Sequence, residues 1–204
     1  MLTHCAAYLK RYLPLAASIV AIVSAFSSPA MAHITNVSGG GFAEGFTHPF
    51  SGLDHILAMV AVGIWASQLG RPAYMILPLA FPVVMAVGAV LGVADVPLPW
   101  VEIGIAASVL VLGAMVALAL KPSLAVSVSL IGLFALMHGH SHGTELPQAA
   151  SAAAYAAGFL IATVALHAVG LAIGETSRWP LARISLRAAG AAMAAIGLLL
   201  LIST

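Results

Sequence analysis

Histidines and carboxylates interrupt the apolar sequence at a few places, and two short runs carry most of them. The first run is HPFSGLDH at residues 48–55, and the second is HGHSHGTE at residues 138–145. Imidazole nitrogens bind nickel, copper, zinc and iron, and a carboxylate adds a harder oxygen ligand. Because ionisable groups within an apolar span are costly unless paired or hydrated, these runs predict a transition-metal site.

The first run places three polar side chains near the start of one predicted helix. His48 and His55 are seven residues apart and share a helix face if the helix extends from His48. Pro49 favours a helix that begins there, with His48 flanking it. Asp54 points about 100° away from His55, so we expect it to orient an imidazole on another helix or to ligate from the bundle centre. Met59, one turn below His55, offers a soft thioether.

The second run and two isolated residues extend the site. Three histidines at alternate positions, flanked by glycines, predict a bent loop rather than a regular helix at residues 138–143. Glu102 lies early in the third predicted span, and His167 lies deep in the fifth, some ~24 Å along the helix from Ser151. The pattern indicates a capture site with one histidine further inward. Blander interpretations remain open: a hydrogen-bonded lone histidine, a solvated loop, or a structural Asp54–His55 pair.

The composition of the whole chain indicates what surrounds these residues. Of its 204 residues, 62% are hydrophobic and 6% are charged, whereas a soluble domain carries roughly 25% charged residues. The apolar residues form long uncharged blocks, which predicts lipid as the solvent. The single cysteine, Cys5, allows neither an intrachain disulfide nor a thiolate cluster. The sequence has no stripe of basic residues of the kind that binds nucleic acids.

The first 32 residues have the pattern of a cleavable secretory signal peptide. Lys10 and Arg11 precede a short apolar run, and small residues at Ala30 and Ala32 mark a cleavage site. The alternative is an uncleaved first membrane helix. Cleavage after Ala32 would expose His33, whose α-amine and imidazole could chelate a metal together, although a free flexible terminus is the simpler reading.

Residues 33–204 are predicted to form one all-α integral membrane domain of six transmembrane helices, because backbone polar groups in lipid must be paired internally. Pro78 and Pro82 predict a kink in the second helix. Pro72, Pro99 and the Lys121-Pro122 pair mark boundaries between spans. The predicted spans are Gly52–Leu69, Pro72–Gly92, Pro99–Leu120, Ser123–Met137, Ser151–Gly174 and Leu181–Ile202.

The charges predict how the helices are oriented in a bacterial inner membrane. A cleaved signal peptide places the mature N-terminus in the periplasm. The histidine-bearing ends of the helices then face the periplasm as well, and every basic residue of the mature domain falls on the cytoplasmic side, as the positive-inside rule requires. Those basic residues are Arg71, Lys121, Arg178, Arg183 and Arg187.

At these positions the sequence resembles the HupE/UreJ family of hydrogenase and urease accessory proteins over nearly the whole mature chain. The first-span run is the most specific part of the resemblance, and the resemblance assigns no role to His140. The matching residues are His48-Pro49, Gly52, Asp54-His55, Ala58-Met59 and Val62-Gly63 in the first span; Glu102, Ile105-Ala106 and Ser108 in the third; His138-Gly139, His142-Gly143 and Glu145 at the end of the fourth; and Gly158-Phe159, Ala162-Thr163, Leu166-His167 and Gly170 in the fifth.

The resemblance implies a secondary permease that takes up Ni²⁺ for hydrogenase or urease maturation, with cobalt transported by some relatives. We expect no enzyme activity and no bound cofactor, the metal ion being the transported substrate. Homo-oligomer formation is left open. The candidate metal ligands, most of them at the predicted outer ends of helices, are His33, His48, Asp54, His55, Glu102, His138, His142, Glu145 and, deeper, His167.

Two alternative functions stay open at this point. One is a membrane accessory or sensor protein that holds Ni²⁺ or Co²⁺ without transporting it, because capture and transport use the same ligands. The other is a membrane metalloenzyme, which would want a His-Glu-x-x-His or comparable zinc motif, and the sequence has none.

Overall fold

A computed structural model describes residues 41–146 and 151–204, and these residues fold into helices without a β-strand. The predicted signal peptide and His33 lie outside the described residues. Seven α-helices and two short 3₁₀ turns make up the described part: α1 Gly41–Thr47, a 3₁₀ turn His48–Phe50, α2 Leu53–Leu69, α3 Ala73–Val93, α4 Val101–Leu118, α5 Leu124–Thr144, α6 Ala152–Glu175, a 3₁₀ turn Thr176–Arg178, and α7 Pro180–Ser203.

Five of these helices, α3 to α7, are long and apolar enough to cross a membrane. The first predicted span is different, because α2 is joined to the shorter segment Gly41–Phe50 through a bend of 78°, and only the two together reach spanning length. The all-α membrane fold is therefore confirmed with five candidate spans, or six if the bent pair counts as one. The fourth span was predicted to end at Met137, but α5 continues to Thr144.

Glycines allow the helix backbones to touch. A Cβ atom added to Gly139 or Gly143 of α5 would collide with backbone atoms of α3, and one added to Gly88 or Gly92 of α3 would collide with backbone atoms of α5. The pairs α2–α6, α1–α6 and α4–α7 approach in the same way. Small residues permit such close approach in a bilayer, and here they set the helix spacing.

The two ends of the bundle have opposite character. One end holds the start of α2, the end of α5 and the start of α6, where the histidines cluster. At the other end, a polar cavity of about 410 Å³ is lined by the C-terminal ends of α2 and α6 and by four cationic side chains. These cations are Lys121, Arg178, Arg183 and Arg187. The chain alternates between the ends, so histidines and basic residues are segregated as the charge pattern predicted.

Candidate metal centre

A break between α1 and α2 places the first histidine of the site. Pro49 favoured a helix that begins there with His48 flanking it, and His48 and His55 were expected to share one face only if the helix extended from His48. Instead, residues His48–Phe50 form a separate 3₁₀ turn, and α2 begins only at Leu53 after the extended residue Gly52. His48 therefore reaches the site from outside α2, which allows it to approach a different side of the cluster from His55.

The second run is a regular helix rather than the bent loop that its glycines suggested. Residues 138–144 complete the last turns of α5, and Gly139 and Gly143 lie directly against the backbone of α3. The glycines serve this close contact instead of a bend, which is why the prediction was wrong. In a regular helix His138 and His142 are one turn apart and share a face.

The imidazole rings form a chain in the order His48, His142, His55 and His138. The ring centroid of His142 lies 4.8 Å from that of His48 and 4.4 Å from that of His55, and the His55 ring lies 4.9 Å from that of His138. These four residues come from a 3₁₀ turn, the first turn of α2 and the last turns of α5. The structure thus brings together residues about ninety positions apart in the sequence, as predicted.

Glu145 closes the outer side of the chain. Its Oε2 atom lies 3.5 Å from Nε2 of His48, and the Ser141 hydroxyl donates to Oε1 over 3.1 Å. The contact with His48 lowers the pKa of the Glu145 carboxyl, the Ser141 hydrogen bond acts in the same direction, and partial burial opposes both. Ligand atoms of His48, His142 and Glu145 all lie within 4.8 Å of one another, which suits a metal ion.

Asp54 sits behind His55 rather than in the chain of rings. Its Oδ1 atom lies 3.0 Å from Nδ1 of His55. An acceptor on Nδ1 fixes the imidazole tautomer that leaves Nε2 with a free lone pair. The sequence predicted such a supporting role, but for an imidazole on another helix, whereas the partner is the adjacent residue.

The ring nitrogens of the cluster lack hydrogen-bond partners although they are buried. Nε2 of His55, Nε2 of His138 and both ring nitrogens of His142 form no hydrogen bond. His138 keeps its Nδ1 bound to the Phe134 carbonyl at 3.0 Å, so its free Nε2 faces away from its own helix turn. Buried polar atoms are rarely left unsatisfied, and four such nitrogens side by side are suited to a cation.

An aromatic side chain separates this cluster from the deeper histidine. Phe81 of α3 is fully buried, and its ring lies 5.9 Å from His138 and 5.2 Å from His167. His167 is also buried, and neither of its ring nitrogens forms a hydrogen bond. The Pro78 carbonyl lies beside it, freed from helical pairing because Pro82 has no N–H.

One face of α6 completes the site, and apart from His167 it was not predicted as part of the site from the sequence. Tyr155, Phe159, Thr163 and His167 follow one another at four-residue spacing and are all buried. The Phe159 ring packs 4.1 Å from that of His142, and the hydroxyls of Tyr155 and Thr163 have no partner. Their common helical period was the available signal, because it places them on the face that bears His167.

Two polar residues lie apart from the cluster: Glu102, which was a predicted ligand, and His140, to which no role was assigned. Glu102 is in the first turn of α4 at the same end of the bundle, but it is exposed and forms no hydrogen bond or ion pair with the described histidines. His140 points away from His138 and His142, and its Nε2 lies 2.8 Å from the Val96 carbonyl. His140 therefore fastens the connection between α3 and α4 to α5.

A bundle of membrane-length apolar helices surrounds buried imidazoles and a carboxylate that could hold a transition-metal ion, so the described residues define a helical membrane protein with a candidate metal-binding centre. The sequence pattern of the HupE / UreJ protein family matches residues 20–200. Protein HupE of Rhizobium leguminosarum bv. viciae is 45% identical over 185 residues, covering 90% of this chain and 97% of that protein. The chain belongs to the HupE/UreJ family. No solved structure gives a significant match.

Proposed function

We propose that this protein is a secondary permease that carries Ni²⁺ from the periplasm across the inner membrane, with Co²⁺ as the nearest competing ion. The membership of the HupE/UreJ family supports a role in supplying hydrogenase or urease maturation. Imidazoles and carboxylates accept both metals, so the ligand set favours late divalent transition metals over Mg²⁺ or Ca²⁺.

The observation that carries the proposal is the row of unpartnered nitrogens on His55, His138 and His142. A structural histidine in an apolar interior uses its ring nitrogens in hydrogen bonds, as His140 does with Val96. Neutral imidazoles with one or two carboxylates bind a divalent ion firmly enough to remove its water. They lack the thiolates that would retain the ion, which suits a protein that must release it.

We place the site at the outer end of a six-span bundle, with the bent pair Gly41–Phe50 and Leu53–Leu69 as the first span. The basic cavity at the opposite end supports this orientation through the positive-inside rule. An ion captured at the outer cluster would pass Phe81 to His167 and continue to the cytoplasm. Membrane potential alone supplies about 4.6 kcal/mol per 100 mV for a divalent ion, and proton exchange is the other possible driving force.

Nickel flux into liposomes that contain only this protein tests the proposal. Wild-type protein should load Ni²⁺ down an imposed inside-negative potential, and His142→Ala should not, because His142 contacts both flanking histidines. His140→Gln is the matched control on the same helix, since His140 is engaged with Val96 rather than with the cluster. Wild-type protein that binds nickel but loads none would instead support an accessory or sensor protein.

A further inference from the structure

We infer that the metal centre contains two overlapping coordination positions that share His142. An ion can occupy either position, but only one of the two is filled at a time. The outer position comprises His48, His142 and Glu145, and the inner one comprises His55, His138 and His142. This inference rests on the proposed function only in taking nickel as the ion that binds. It adds how the ion moves within the site.

No single ion can contact the whole cluster of histidines and Glu145. Within the described part of the chain, the only histidine and carboxylate group whose ligand atoms all lie within 4.8 Å of one another is His48, His142 and Glu145. His55 and His138 lie outside this trio. The rings are linked in sequence from His48 through His142 and His55 to His138, which is an elongated arrangement rather than a closed cage.

Each half of the chain of rings has the spacing that one ion requires. Metal–imidazole bonds of roughly 2 Å place the ring centres of two imidazoles on a tetrahedral ion about 5 Å apart. The His48–His142 and His55–His138 separations are 4.8 and 4.9 Å, and the His55–His142 separation is 4.4 Å. His48, His142 and Glu145 already lie within reach of one ion, whereas His55, His138 and His142 have to turn their rings before their nitrogens meet at one ion.

His142 itself has both ring nitrogens free. Neither Nδ1 nor Nε2 forms a hydrogen bond, and the side chain is 3% exposed. His48 and Glu145 lie on its outer side, and His55 lies on its inner side. An ion held by Glu145 and His48 can exchange these ligands for His55 and His138 while His142 stays in reach, so it is never released into an apolar interior without ligands.

The two positions also differ chemically. The outer one contains an ionised carboxylate close to the exposed end of the bundle. The inner one consists of imidazoles, with Asp54 contacting only the back of His55. A carboxylate favours capture of the hydrated ion, whereas neutral imidazoles bind the dehydrated ion without adding charge that would oppose its release.

A double-mutant cycle on the purified full-length protein tests the inference, with Ni²⁺ binding measured by calorimetry. If the positions are alternatives of similar affinity, Glu145→Gln or His138→Ala alone should weaken binding only about twofold, because the ion shifts to the other position. The double variant should lose far more than the product of the two effects, approaching the loss in His142→Ala. Wild-type stoichiometry should be one ion per chain.

Absorption spectra of bound Co²⁺ provide a second readout that does not depend on affinity. The His138→Ala spectrum should report a site with a carboxylate, the Glu145→Gln spectrum a site of imidazoles alone, and the wild-type spectrum a mixture of the two. His140→Gln should match wild type and so control for damage to α5. Large losses of affinity in both single variants that simply multiply in the double variant would establish one undivided site and overturn the inference.

Two bound ions per chain would overturn it as well, because a neutral His142 imidazole has one nitrogen lone pair and can bind one ion at a time. Failure of the proposed function looks different. If liposomes take up no nickel while the binding cycle is strongly non-additive, the shared-ligand arrangement stands and the transport proposal falls.

Discussion

Oδ1 of Asp54 accepts from Nδ1 of His55 over 3.0 Å, although the two residues are adjacent in α2. The first turn of a helix has room for this contact because Gly52, which precedes it, has no side chain, and a Cβ there would meet both groups. The carboxylate thereby directs the free Nε2 of His55 towards the other histidines.

Replacement of Asp54 by Asn should weaken nickel binding about 10- to 100-fold, the range for outer-shell partners of metal-binding histidines, in the Glu145→Gln background, where only the position that contains His55 remains. The amide carries no charge and can present its NH₂ group to Nδ1, which would favour the wrong tautomer. Nickel titration of the purified variant measures the effect. Asp95→Asn is the matched control, because Asp95 lies on the α3–α4 connection with φ 52°, a conformation that Asn tolerates. Equal affinity with and without Asp54→Asn in the Glu145→Gln background would show that the contact is only structural.

Substitution of His167 by Ala should reduce nickel transport while leaving nickel binding unchanged. Phe81 lies between His167 and the outer cluster, so the nickel affinity of the purified protein should remain near that of wild type. Uptake into liposomes should fall at least tenfold, because the ion would lose its next ligand beyond Phe81. A variant that transports nickel normally would remove His167 from the path.

Gly139→Ala should prevent correct packing of α5 against α3, because the added Cβ would collide with the Met85 carbonyl. We expect a strongly lowered Tm or loss of the folded protein in detergent. Gly132→Ala on the same helix is the control, since its Cβ would enter open space. That change should be neutral or stabilise the helix by roughly 0.5–1 kcal/mol. Similar Tm values for the two variants would contradict the packing.

Removal of the His140 side chain should affect stability and leave metal binding intact. His140→Ala loses the hydrogen bond to the Val96 carbonyl, which is worth about 1 kcal/mol. Thermal unfolding in detergent should therefore shift slightly downward, with nickel affinity unchanged. A large loss of affinity would mean that His140 is a ligand after all.

Much of the fold could be predicted from hydropathy alone, because long apolar blocks in lipid must be helical. The boundaries that failed were those set by tertiary contacts. Gly139 and Gly143 carry the local signal of a loop, yet their backbone contacts with α3 stabilise a helix. The first span was predicted to start at Gly52, one residue before α2, but the separate 3₁₀ turn that precedes it was missed, since Pro49 is equally suited to the start of a long helix and to a short 3₁₀ turn.

The site was predictable in composition but not in arrangement. His55, His138 and His142 were identified as ionisable residues inside apolar segments, because burying such a group costs free energy unless it is paired, hydrated or functional. Their order in space, with His55 between His142 and His138, depends on how the start of α2 lies against the end of α5, which no local pattern encodes. The same pattern selected Glu102 wrongly as a neighbour of the histidines, since it lies at their end of the bundle but does not contact them.

The glycine contacts between α3 and α5, and between α2 and α6, have a mechanical consequence. Helices that meet main chain against main chain cannot slide or tilt without creating voids or collisions along their whole length. If the protein carries an ion as proposed, the ion would therefore have to pass by rotation of side-chain rings or by movement at the bend around Ser51 and Gly52, and not by rocking of one half of the protein against the other.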